Sequence, residues 1–423
     1  MSIPLDRLYH YIESIAQKIL NDDVIIYRFY PHGSKNYDDL AMMHSRYSYK
    51  QLITNPQIIC NDQEPLNFEL YQNNSSKPYA VPAKLDNLYK LNIRKDIGNI
   101  FDNCILLHSE KNSNEVKKYQ NSCFVPVYYW NHAFLALDWF RYAQHVNPAQ
   151  EESTHTFLIY NRAWSGTREY RLKFADLLID NQLTEQCRTS VGLTDNSVYY
   201  RNYEFSNAQW KPINQLEHYY EGNFTSSWYS ADFELDDYNC TDIEVVLETL
   251  FDDSRQHLTE KTLRPIAVGQ PFILCSTPGS LEYLHDYGFQ TFGEIFDESY
   301  DYIQDPMSRL KKIISVMQDI KNWTASEKQA NILKMQAIAS YNKRRFFSQE
   351  FFNLINKELI DNLTTGLTEV VENNTFERIL TFRHTLLSDN DYLEYRKTIP
   401  DDILKVREEV ANRALPEQKS HKY

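Results

Sequence analysis

The feature that most constrains this chain is a recurring alternation: a short apolar run closed by polar or turn residues, then a helical pattern, then another apolar run. Asp23-Val24-Ile25-Ile26-Tyr27-Arg28-Phe29-Tyr30 reads as a buried strand, and Pro31-His32-Gly33-Ser34 as the turn that leaves it. Further runs follow at Gln57 to Cys60, Cys104 to His108 and Cys123 to Tyr128. Repeats of strand, loop and helix imply a parallel sheet. Ligands of such sheets sit beyond the carboxyl ends of the strands, which singles out the loops 32–35, 61–65, 109–111 and 129–132.

The polar stretch Asn147-Pro148-Ala149-Gln150-Glu151-Glu152-Ser153 interrupts the alternation, and Thr156-Phe157-Leu158-Ile159-Tyr160 restarts it as a new strand. The second half reads as a helix over Tyr170 to Asp180, an irregular Tyr-rich middle, a helix over Asp242 to Leu250, and a helix-strand unit from Glu260 to Cys275. From about Asp305 onward the pattern is helical. A chain of 423 residues exceeds one ordinary core and suits two. The expectation is an α/β protein with two Rossmann-like domains, 1–150 and 154–305, facing a cleft, with a helical C-terminal region at 306–413 and a tail at 414–423.

Composition excludes several classes. With 44 Lys plus Arg against 58 Asp plus Glu, the formal charge of −14 argues against a general nucleic-acid coat or a membrane-surface protein, though not against one local basic groove. No run of 18 apolar residues occurs, and the N-terminal segment is polar where a signal peptide needs an apolar stretch. The expected location is the cytoplasm, with no membrane span. Six scattered cysteines without a C-x-x-C pair read as reduced core residues. A dinucleotide oxidoreductase does not fit, because no G-x-G-x-x-G follows a strand. The run from Asp232 to Asp253, nine carboxylates without a Lys or Arg, reads as a solvated loop and helix face, with a cation site the alternative.

The richest segment runs from His257 to Leu274. Thr259 is a good N-cap, Glu260 and Lys261 fall in the first helical turn, and Gly269 ends the helix before a buried strand. Amides at a helix start attract phosphate oxygens, a lysine beside them adds a full charge, and a neighbouring carboxylate can accept from ribose hydroxyls. That combination suits a nucleotide diphosphate-sugar, and the same pattern also fits an ordinary capped helix. The loop Tyr160-Asn161-Arg162-Ala163-Trp164-Ser165-Gly166-Thr167-Arg168 adds a second cationic element, since arginine presents a planar fork to phosphate oxygens; it fits equally a surface loop with Arg168 and Arg171 solvated.

Thr259-Glu260-Lys261, followed by Ala267, Gly269 and Pro271, resembles the donor-binding motif of fucosyltransferase-like GT-B glycosyltransferases. The continuation from Pro278 to Phe292 is similar to viral and bacterial members of that group, and the chain resembles phage glycosyltransferases, including the glycosyl- and arabinosyltransferases of T-even type that decorate hydroxymethylcytosine in DNA. The resemblance implies a donor phosphate on Lys261, a donor ribose on Glu260 and a diphosphate clamp at Arg162. It implies a nucleotide diphosphate-sugar donor, UDP-linked in preference to GDP-linked, an inverting reaction, and no required cofactor or metal; consistently, no D-x-D motif stands at a strand end.

An inverting transfer needs a base for the acceptor hydroxyl. Cys60-Asn61-Asp62-Gln63-Glu64-Pro65 follows a strand and offers two carboxylates, so Asp62 or Glu64 is the candidate, with an Asx turn the alternative use of either. His32 and His132 also stand at strand ends; Gly33 would let backbone approach a ligand closely, and Trp130 could stack on a base or a sugar. Between Arg309 and Arg345 nine Lys or Arg residues face two acids, which fits a polyanion-facing stripe or a solvated helix face. Three acceptor readings follow: double-stranded DNA carrying hydroxymethylcytosine, a glycan or lipid-linked saccharide, or none, in an inert interaction protein that keeps the fold.

Overall fold

The computed structural model describes residues 3–29, 55–61, 104–114 with 116, 127–148, 153–220 and 232–373. The chain divides into two compact units: 1–109 with 114–131 and 357–423, and 110–113 with 132–356. In the first unit, α1 (Ile3–Leu20) buries Leu8, Ile12, Ile15 and Ala16, spaced along one helical stripe. The strands β1 (Ile25–Phe29), β2 (Gln57–Asn61), β3 (Cys104–His108) and β4 (Val127–Tyr129) form one sheet in the order β1-β2-β3-β4. All three pairings are parallel. Ile25, Ile58, Ile105 and Leu107 are at most 1% exposed, as strands covered on both faces require.

The second unit opens with α2 (Ala133–Trp139) and β5 (His155–Asn161), then α3 (Tyr170–Asp180) and β6 (Cys187–Val191). A small antiparallel hairpin follows, β7 (Thr194–Asp195) and β8 (Val198–Tyr199), turning through Asn196 and Ser197 at positive φ. Then come α4 (Leu235–Asn239), β9 (Thr241–Leu247), α5 (Glu260–Val268), β10 (Phe272–Cys275) and α6 (Ser280–Asp286). The four long strands are parallel in the order β10-β9-β5-β6. The chain therefore starts inside at β5, moves out to β6, and returns to build β9 and β10 on the other side. Winding reverses between β5 and β9, which is where doubly wound sheets open a crevice at their carboxyl edge.

In the region 242–250, expected as a helix, residues 242–247 instead belong to the strand β9, flanked on both sides. The charged residues that suggest a helical period are Glu244 and Glu248, but Ile243, Val245 and Val246 favour a buried strand and win. Glu244 is tolerated in a central strand because Arg264 pairs with it at 2.5 Å and Tyr238 donates to it at 2.6 Å. Three helices follow: α7 (Pro306–Lys321), α8 (Ala325–Phe346) and α9 (Gln349–Asn373). The Thr324 and Glu327 side chains form a capping box at the start of α8. α7 and α8 belong to the second unit, and α9 runs on into the first. There Leu359, Leu363 and Leu367 are fully buried, Tyr128 donates to Glu369 at 2.8 Å, and a Cβ on Gly366 would meet the Tyr128 ring at 2.6 Å.

Candidate functional site

The carboxyl edge of the second sheet is built by loops after β5, β6, β9 and β10. Arg171, in the first turn of α3, is 3% exposed and ties two of them: its guanidinium donates to Ala163 O at 2.6 Å, Leu247 O at 2.6 Å and Glu248 O at 3.0 Å. Burial lowers its pKa, and these strand-end carbonyls are what hold the cation there. Tyr170 donates to the same Glu248 carbonyl at 2.7 Å. Gly192, after β6, passes so close that a Cβ would overlap the carbonyl oxygen of Arg162. Its own carbonyl accepts from the Trp164 indole at 2.7 Å. Arg171 is thus a structural clamp, not a solvated surface residue.

The start of α5 is formed as its sequence requires: Thr259 is the N-cap, its hydroxyl accepting from Lys261 N at 3.4 Å, and Gly269 closes the helix at φ 87°. The amides beneath are not open, however. The buried Glu248 carboxylate accepts from Thr249 N at 3.1 Å, Thr259 N at 2.9 Å, Thr259 Oγ1 at 2.8 Å, Thr262 N at 3.2 Å and Thr262 Oγ1 at 2.6 Å. The protein supplies its own anion where a helix dipole favours one. Lys261 Nζ lies 2.7 Å from Glu260 Oε1 and 3.2 Å from Thr259 Oγ1, and its side chain is 17% exposed. Glu260 is 3% exposed.

Two further amide clusters on this edge are filled in the same manner. Asp195 accepts from Trp164 N at 2.9 Å, Ser165 N at 2.8 Å and Ser165 Oγ at 2.7 Å. Burial raises its pKa, but those donors outweigh burial and leave the carboxyl below its usual range. Asp301 accepts from Ser280 N at 3.0 Å and Leu281 N at 3.2 Å at the start of α6; here burial wins and lifts the carboxyl to about 6. Burial likewise lifts Glu298, which accepts from Phe292 N at 2.9 Å, to about 7. Arg255 is held by Asp253 at 2.6 Å and Glu110 at 3.4 Å. Gln256 and Lys111 form a backbone bridge, with Lys111 Nζ 4.5 Å from the centre of the Tyr287 ring.

Of the residues singled out in the sequence, Thr259, Glu260, Lys261 and Arg162 all stand on this edge. Arg162 follows β5 directly, is exposed, and makes no ion pair or hydrogen bond among the described residues. Trp130 and His132 are each 1% exposed, so neither ring presents a face for stacking. His132 packs against Trp139 and against His257 at 6.2 Å. His32, Gly33, Asp62 and Glu64 lie outside the described residues. Among the described residues no group of three or more His, Cys, Asp or Glu side chains is placed to hold a metal ion, and no helix is long and apolar enough to cross a membrane. The acidic run is a solvated face only in part: Asp232, Glu234, Asp236 and Asp252 are exposed, but Asp237, Glu244 and Glu248 are buried and partnered. The basic run is likewise mixed: Lys311, Lys321, Lys334 and Arg344 are exposed, and other members are partnered. Arg309 donates to Phe251 O, Lys312 pairs with Asp297, Lys328 with Asp242 and Arg345 with Glu350.

No protein-family model matches the chain, and no curated protein sequence matches it. Among solved structures, T4 phage BGT in complex with UDP and Mn2+ is similar at 10% identity with a TM-score of 0.43, over 82% of this chain and 93% of that one. A mutant of T4 phage BGT with UDP-glucose is similar at 11% identity and a TM-score of 0.41, over 79% and 82%. The alpha,alpha-trehalose 6-phosphate synthase of Burkholderia multivorans is similar at 11% identity and a TM-score of 0.35, over 86% and 77%.

Proposed function

We propose that the chain is a glycosyltransferase whose second unit holds a nucleotide diphosphate-sugar, UDP-linked in preference to GDP-linked, at the carboxyl edge of its sheet. The observation that carries this reading is the reversal of winding between β5 and β9, with Arg162, Glu260 and Lys261 collected on the edge where such folds bind nucleotides. The resemblance of Thr259-Glu260-Lys261 to the fucosyltransferase-like donor motif supports it. Because Glu248, Asp195 and Asp301 already fill the backbone amide clusters, side chains carry the diphosphate charge: Lys261 exchanges its bond to Glu260 for phosphate oxygens, Glu260 turns to the ribose, and Arg162 presents its fork. In an inverting transfer the acceptor oxygen bonds to the anomeric carbon, the bond from that carbon to the diphosphate oxygen breaks, and the hydroxyl proton passes to Asp62 or Glu64.

The acceptor we assign is the hydroxymethyl group of modified cytosine in double-stranded DNA, following the resemblance to phage enzymes. The test is a thermal-shift series with UDP, GDP and their sugar conjugates, followed by mass spectrometry of hydroxymethylcytosine DNA incubated with the best donor. Stabilisation plus a pentose or hexose mass gain on DNA supports the whole reading. Stabilisation with transfer only to saccharides moves the acceptor to a glycan, and the absence of any nucleotide response sinks the enzyme reading in favour of an interaction protein.

A further inference from the structure

The opposite edge of the second unit's sheet also carries a cavity. A cavity of about 630 Å³ opens where Ser153 leads into β5, Thr241 begins β9 and Gln270 and Pro271 lead into β10, so it faces the amino ends of the strands. Its other wall is α8, which contributes Gln336, Ser340 and Arg344. These three fall four residues apart, which places them in one stripe along the helix. At about 1.5 Å per residue the stripe is roughly 12 Å long.

The charge in this cavity is unbalanced. Its carboxylate, Asp242, is answered by Lys328 at 2.9 Å and Ser153 at 2.6 Å. Lys343 is turned onto the carbonyls of Val146 and Val268 and onto Asn147 Oδ1. Arg344 is exposed and makes no ion pair or hydrogen bond among the described residues, and the same holds for the side chains of Gln144, Gln336 and Ser340. An arginine fork at one end of a row of neutral hydrogen-bonding groups suits an anion joined to a polyhydroxyl body.

We propose that this cavity binds a sugar monophosphate, with the phosphate on Arg344 and the sugar hydroxyls on Gln144, Gln336 and Ser340. The proposal is independent of the donor reading, because the cavity shares no residue with the carboxyl edge. The test is calorimetric titration of the full chain with a panel of hexose and pentose monophosphates, using inorganic phosphate and the free sugars as controls. The expected result is saturable binding of at least one sugar monophosphate, tenfold or more tighter than either control. That binding should weaken at least tenfold in both Arg344→Ala and Ser340→Phe, the second of which fills the cavity without touching the charge. Circular dichroism establishes that each variant is folded, and a further variant, Gln336→Ala, replaces either one that is not. Failure of every panel member to bind, equal binding of inorganic phosphate, or unchanged affinity in folded variants would overturn the proposal.

Discussion

Replacing Glu248 by Ala removes an anion that the start of α5 is built around. The carboxylate serves three amides, Thr249, Thr259 and Thr262, and two hydroxyls, Thr259 and Thr262, all buried. The hydroxyls can rotate to other acceptors, but the three amides cannot. A buried donor left without an acceptor costs about 1–3 kcal/mol, and entry of water into the vacated space recovers part of the total. The expected loss is about 4 kcal/mol, a large share of the roughly 5–15 kcal/mol that holds a domain folded. At about 2–4 °C per kcal/mol for a unit of this size, the midpoint falls by roughly 10 °C. Glu248→Gln keeps one acceptor oxygen and loses about half as much. Urea unfolding followed by the fluorescence of the buried Trp164 and Trp210 reads both variants. Acetate, entering the vacated anion position, restores part of the loss in the Ala variant. A Glu248→Ala protein within 1 kcal/mol of the parent, as an approximate threshold, would refute the view that this carboxylate organises the helix start.

Three further outcomes are expected. Gly192→Ala forces a Cβ onto the Arg162 carbonyl and costs about 3 kcal/mol by the same urea assay, since backbone rather than a flexible side chain must yield. Glu298 titrates near 7 when folded, above its ordinary value of 4.5, so the folded state holds the proton more tightly and stability falls as pH rises from about 4.5 to 7. Glu298→Gln flattens that part of the profile, leaving the smaller fall from Asp301 below about pH 6; an unchanged profile between pH 6 and 7 would count against the assignment. Lys261→Ala lowers kcat/KM for the donor at least tenfold, about 1.4 kcal/mol or more, with the fold intact by circular dichroism.

The sequence conveyed the strands β1, β2, β3, β5 and β10 and the boundaries of α5 closely, because continuous apolar runs and cap residues are local signals, but it did not convey β6 or β9. Thr259 and Gly269 occupy the caps their residue types favour. What it concealed are long-range partnerships. Glu244 and Glu248 looked like solvent-facing helix residues because their partners, Arg264 and the start of α5, lie 20 and 11 to 14 positions away. Arg171 looked solvated because its acceptors are the main-chain carbonyls of Ala163, Leu247 and Glu248, which no residue pattern announces. Gly192 carried a usable signal, a glycine directly after a strand in a chain with only ten. The burial of Trp130 and His132 follows from packing that their strand-end position does not reveal.

Calorimetric titration of UDP and GDP into the parent protein and into folded Lys261→Ala and Arg162→Ala variants tests the donor site most directly. The result expected is saturable binding of one nucleoside diphosphate, tighter for UDP, that weakens tenfold or more in Lys261→Ala and measurably in Arg162→Ala. Binding of neither nucleotide, or equal affinity across all three proteins, would contradict a donor site at the carboxyl edge of the second sheet.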